Sequence, residues 1–169
     1  MSVEFKVLGL QDVLLIKPQK HIDERGIYME IFKNAEYLDL GLPVNFVQDN
    51  LVYSKKNVLR GLHYQNEPTS QGKLITPIKG QIFDVAVDVR PKSDTYGQHV
   101  SIILSEEKSE LLYIPSGFAH GFFTREWDNK SPKQIINNID SSLKLHISNQ
   151  VHGSKVIHAS KTFESPVEA

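Results

Sequence analysis

The run QIFDVAVDVR, residues 81–90, alternates side chains along an extended backbone. Asp84, Ala86 and Asp88 fall on one face, and Phe83, Val85, Val87 and Val89 on the other. A period of two suits a strand and not a helix. Comparable short runs recur along the chain, at residues 4–8, 13–17, 46–53, 74–78, 99–104 and 111–115. Turn-forming segments separate them: Gly-Leu-Gln-Asp, the polar connection HIDERG (residues 21–26) before IYMEIF, residues 54–57, Lys79-Gly80, residues 91–97 and 105–110. Only residues 35–40 predict a short helix, stopped by Gly41 and Pro43. Strands spaced by roughly 8–12 residues with little helix argue for an all-β sandwich, jelly roll or barrel. The interior of such a fold is a natural small-molecule site.

Composition narrows the function. A chain of 169 residues fits one domain with a real core. The net charge of -1 supplies no field for nucleic acid. Cysteine is absent, which excludes disulfides and thiolate metal sites. No apolar run approaches the ~18–20 residues of a membrane span. The N-terminal stretch lacks the charged-then-apolar design of a signal, so a cytoplasmic protein is expected. From Asn129 the chain turns polar, with Phe163 its sole aromatic and Asp140 its sole Asp. Alternation at Leu143, Leu145 and Ile147 predicts one strand there, and residues 162–169 read as frayed.

Candidate chemistry concentrates in VLRGLHYQNEPTSQGKLITPIKG, residues 58–80. His63 follows Gly61, where backbone can approach a ligand closely, and an imidazole is the usual general base near neutral pH. A structural His bonded to a carboxylate is the alternative. The nearby Arg60 and Lys73, with a glycine-flanked His120 in GFAHGF, favour a site. Lys73 would stabilise an enolate or hold a phosphate, and Arg60 would clamp a phosphate. Arg25 and Glu30, five apart, lie on opposite faces of an ideal strand, so a joint role needs a bend or a second subunit. Gln48 and Asn50 share a face and could read a sugar or base edge. Asp84 or Asp88 could orient His63 as a dyad partner, or face outward. A metal site built on two His two apart is not formed, because His63 is followed by Tyr64-Gln65; Glu67 and His120 are a thin remaining set, and no metal is expected.

The motifs RGIYMEIF, FVQDNLVYS, VLRGLHYQ, GKLITPIKGQIFDVAVDVR, TYG and YIPSGFAHGFF occur in the order and spacing of the dTDP-4-dehydrorhamnose 3,5-epimerases. The chain resembles that family over about residues 5 to 123. VLRGLHYQ sets it apart from the related 3,4-ketoisomerases, which carry a second His just after the first. The resemblance implies an all-β, cupin-like double-stranded β-helix (jelly roll) with short peripheral helices, as a single domain over residues 1–169. It implies a strand-exchanged homodimer, a dTDP-4-keto-6-deoxy sugar as substrate, no cofactor, and epimerisation at C3 and C5 in dTDP-L-rhamnose biosynthesis. It implies that His63 is the base and that Lys73 stabilises the enolate. Arg60, Gln48, Asn50 and His120 would line the pocket, with Arg25 and Glu30 reaching it from the partner subunit. Residues 124–169 depart from the family. Where the family carries a proton-donating Tyr, position 133 is Lys, and no tyrosine follows Tyr113. The alternative is therefore a nucleotide-sugar-binding relative with reduced or C3-only activity.

Overall fold

The computed structural model describes residues 3–10, 12–42 and 45–124. Ten strands and one helix follow in order: β1 (Val3–Val7), β2 (Leu14–Pro18), β3 (His21–Asp23), β4 (Gly26–Tyr28), α1 (Asn34–Asp39), β5 (Val58–His63), β6 (Lys73–Ile75), β7 (Gln81–Asp88), β8 (His99–Ser105), β9 (Leu111–Ile114) and β10 (Phe118–Thr124). They form two four-stranded sheets, β1-β2-β9-β6 and β5-β10-β7-β8, and a hairpin of β3 with β4. Every pairing is antiparallel. This is the expected all-β, cupin-like jelly roll with one short peripheral helix.

The middle strands of the first sheet, β2 and β9, are buried on both faces, and their sequence shows why. β9 reads LLYI without alternation, as a strand covered on both sides does. Leu15, Leu112 and Ile114 meet Ala86, Leu104 and Phe118 of the second sheet in the central core. On the opposite face Leu14, Ile16 and Tyr113 pack with Tyr37 of α1. The buried Tyr37 hydroxyl donates to the Ile31 carbonyl at 2.7 Å, and burial pushes its pKa up to about 12. α1 ends where expected, at Gly41 with φ +72°.

β7 settles which of its faces is inside. Asp84, Ala86 and Asp88 are buried, and Val85 and Val87 are half-buried. The polar face of QIFDVAVDVR is thus the inner one, so the two aspartates belong to the interior.

Two expectations are corrected. The connection HIDERG contains strand β3, and β4 begins at its glycine. Asp23 folds the intervening turn by accepting the Arg25 backbone N–H at 2.9 Å. The alternating run at residues 46–53 forms no strand, because no strand among the described residues pairs with it. Alternation gives a segment two faces but does not supply a neighbour. The expected strand at residues 143–147, the fraying at 162–169 and the divergent segment beyond Thr124 lie outside the described residues.

Candidate active site

The centre of the site is a β-bulge. β10 pairs His120 with His63 and, after a register shift, Phe122 with Arg60. Three steps along β5 therefore match two along β10. Arg60 and His63, an odd number apart, would point to opposite faces of a regular strand. The extra residue turns both toward the face of His120 and Phe122. That face is internal, since His120 and Phe122 pair with Ala86 and Asp84 on the inner side of β7.

Two glycines make the bulge possible. Gly61 has φ +110°, and a Cβ there would lie 2.5 Å from the Gly121 Cα and 2.7 Å from the His120 carbonyl oxygen. A Cβ on Gly121 would lie 2.7 Å from the Arg60 carbonyl oxygen. The close approach that Gly61 permits is thus to β10, and not to a ligand as its sequence context suggests. It brings the two histidines side by side.

Lys73 enters the same space from the other sheet. It pairs with Ile114, whose side chain lies in the central core, so Lys73 also points between the sheets. Its Nζ donates to the His63 carbonyl oxygen at 3.2 Å. Burial lowers the Lys73 pKa, opposed by the Asp84 charge. The His63 pKa is lowered too, first by burial and then by the charges of Lys73, His120 and Arg60. A neutral imidazole beside an ammonium is a base beside a site for developing negative charge. Arg60, at the rim, donates from Nε to the Ser54 hydroxyl at 3.0 Å.

Asp84 does not orient His63. Its Oδ2 lies 2.9 Å from His120 Nε2, so the His–Asp pair in this cavity is His120–Asp84. The register explains the exchange: Asp84 sits on β7, whose neighbour is β10, and β5 lies one strand further out. Asp88, the other candidate, is held by the Arg90 guanidinium at 2.7 Å and by the hydroxyls of Ser93 and Thr95, each at 2.6 Å. Sequence reasoning found Arg60, His63, Lys73 and His120 but not the partner of His120, a pairing set by the register of β7 against β10.

The remaining candidates lie elsewhere in the chain. Gln48 donates to Asn50 at 3.0 Å, so they share a side, on an exposed segment outside any strand. Arg25 pairs with Asp23 at 2.6 Å, and Glu30 with Lys33 at 3.6 Å. Glu67 accepts from the Ser70 hydroxyl. Among the described residues no three His, Asp or Glu side chains are grouped to hold a metal ion.

Residues 7–138 match the family model described as dTDP-4-dehydrorhamnose 3,5-epimerase. The enzyme of that name from Methanothermobacter thermautotrophicus is 50% identical over 121 residues, which cover 70% of this chain and 65% of the relative. This chain thus matches somewhat less than two thirds of that relative's length. The crystal structure of dTDP-4-dehydrorhamnose 3,5-epimerase from Sulfolobus tokodaii is 44% identical with a TM-score of 0.71, covering 79% of this chain and 80% of that one. At the same identity and TM-score, a dTDP-6-deoxy-D-glucose-3,5-epimerase from Legionella pneumophila, in complex with dTDP-4-keto-L-rhamnose, covers 73% of this chain and 66% of its own. The jelly roll, the paired histidines of its bulge and these matches lead to one assignment: the chain belongs to the dTDP-4-dehydrorhamnose 3,5-epimerase family.

Proposed function

We propose that the protein epimerises dTDP-4-dehydro-6-deoxy-D-glucose at C3 and C5, giving dTDP-4-dehydro-L-rhamnose for dTDP-L-rhamnose biosynthesis in the cytoplasm. The observation that carries this reading is the Lys73–His63 contact, an ammonium held on the backbone carbonyl of a residue whose imidazole pKa is lowered by burial and by that ammonium's charge. A proton alpha to the C4 ketone passes to His63, and Lys73 stabilises the enolate oxygen that forms. Reprotonation from the opposite ring face inverts the carbon. Arg60 and His120 bind the nucleotide sugar, and no cofactor takes part.

We propose further that a second copy completes the site, in a strand-exchanged homodimer of single cupin-like domains. β5 is the edge of its sheet, with one side unpaired among the described residues. The extended segment beside its start exposes Val47 at 85% and Tyr53 at 88%, and the β3–β4 hairpin exposes Ile22, Ile27 and Tyr28. Apolar side chains along an unpaired edge suit a pairing partner. In this arrangement Arg25 and Glu30 act on the site of the other copy, and Gln48 and Asn50 line the pocket.

Solvent deuterium exchange tests the chemistry. Incubated in D2O with the ketosugar, the protein should place deuterium at C3 and C5, read by NMR, and His63→Ala should abolish both while retaining the fold. Exchange at C3 alone would point to the partial activity that residues 124–169 suggest. No exchange at either carbon would overturn the epimerase reading.

A further inference from the structure

Asp84 is wholly buried near the middle of β7, and its two oxygens are treated unequally. Oδ2 meets His120 Nε2 at 2.9 Å, while Oδ1 has no hydrogen-bond partner among the described residues. A buried carboxylate oxygen left unbonded is costly unless compensating charge lies close by. The groups around Asp84 supply it unevenly. β10 presents His120, and β6, across the cavity, presents Lys73. Arg60 and His63 on β5 lie beyond His120 in the sheet. β8 places Ile102 opposite Asp84, and β9 turns Leu112 and Ile114 inward, so neither adds charge.

We infer that Asp84 is a positioning residue of this site: one buried carboxylate on the inner face of β7 that serves as shared counter-ion, its Oδ2 fixing the His120 ring and its charge opposing that of the Lys73 ammonium, which points between the sheets from β6. The inference deepens the epimerase reading and rests on it for its role in turnover. The electrostatic case is reciprocal. Burial pushes the Lys73 pKa down, and Asp84 is the charge that opposes this. Burial pushes the Asp84 pKa up, opposed by His120 and Lys73. Without Asp84 only desolvation acts on Lys73, and the ammonium needed at the enolate is lost at a lower pH.

The test follows Lys73 directly. The full chain is reductively methylated with 13C, the Lys73 signal is assigned by its absence in Lys73→Arg, and its titration is followed by NMR. Asp84→Asn, nearly isosteric, should lower the Lys73 midpoint by about one unit or more. An unchanged midpoint overturns the inference. No substrate is needed, so this result stands apart from the deuterium assay that judges the epimerase reading. In turnover, Asp84→Asn should move the alkaline limb of the exchange rate to lower pH; a loss uniform across pH would mean a merely structural Asp84. Should that variant fail to fold, Lys73→Met tests the same coupling from the other end. It should raise the Asp84 titration, read through the 15N shift of His120 Nε2, and an unmoved titration overturns the inference equally.

Discussion

The Lys73 ammonium, on β6 of one sheet, donates to the backbone carbonyl of His63, on β5 of the other. A single hydrogen bond therefore joins the two sheets at the base itself. It holds the cation beside the imidazole but leaves both ring nitrogens of His63 out of the contact. The ammonium is thus a neighbour of the base and not its proton partner, as a base that must accept a proton from carbon requires.

The pH dependence follows from the same pair. The His63 pKa lies below its ordinary 6.5, and Lys73 lies below its ordinary 10.5. The reaction needs His63 neutral and Lys73 charged. Its acid limb should accordingly fall below pH 6.5, and its alkaline limb below the pH of an ordinary lysine. A pH–rate profile of deuterium incorporation checks both, and an acid limb at or above 6.5 contradicts the arrangement. His63 also affects stability. The unfolded imidazole binds its proton first as pH falls through 6.5, so this group's contribution is present above that pH and lost below it.

Asp88 should govern acid stability. Burial works against its charge, but Arg90, Ser93 and Thr95 outweigh burial and hold its carboxyl well below the ordinary 3.8. A carboxylate depressed in the fold stabilises it above the unfolded pKa, and the contribution disappears as pH falls through the lower folded value. Urea midpoints of the wild type should therefore drop steeply below about pH 4, and those of Asp88→Asn should drop less. At neutral pH, Asp88→Ala leaves Arg90 stacked on Phe118, 4.6 Å from the ring centre, with Asp12 as its one remaining acidic partner among the described residues. That change should cost roughly 2–4 kcal/mol in urea denaturation.

Gly121→Ala tests the bulge. The new methyl would meet the Arg60 carbonyl oxygen at 2.7 Å, a backbone atom that cannot swing aside. Relief requires β5 and β10 to separate, which costs about 1–3 kcal/mol and parts His63 from His120. Thermal melting should show the loss of stability, and exchange activity should fall further than stability alone explains. By contrast Gly97→Ala, where a Cβ would meet nothing within 4 Å but φ is +80°, should lower stability through backbone strain and leave exchange per folded molecule unchanged.

Much of the cavity was legible because its parts are local in sequence. Arg60, His63 and Lys73 lie within one stretch, and His120 announces itself by its glycine neighbours. The strand at residues 81–88 was also visible, since alternation is a local property. What stayed hidden depends on register. The bulge that turns Arg60 and His63 to one face follows from where β10 lies against β5. The partner of Asp84 follows from β10 lying between β7 and β5, so His120 takes the carboxylate that sequence offered as one possible partner of His63. The run at 46–53 was misread for the same reason: its alternation is real, but no strand among the described residues pairs with it.

That segment leads to the most direct test of the assembly. If Arg25 serves the site of a second copy, Arg25→Ala and His63→Ala each inactivate a homodimer, but for different reasons. The first lacks the guanidinium offered by the β3–β4 turn and the second lacks the base. A mixed dimer pairs an intact His63 from one chain with an intact Arg25 from the other, restoring one of its two sites. Random re-association makes half of all dimers mixed, so the mixture should recover about a quarter of wild-type exchange activity. Mixing requires the variants to be unfolded together and refolded, with each variant refolded alone as control. Sedimentation should give twice the chain mass for both. Recovery no greater than the sum of the two controls would place Arg25 outside the neighbouring site, and a monomeric mass would remove the shared site altogether. Tyr53→Asp, which puts a charge on the exposed apolar segment beside the β5 edge, should shift the same samples toward monomer and abolish the recovery.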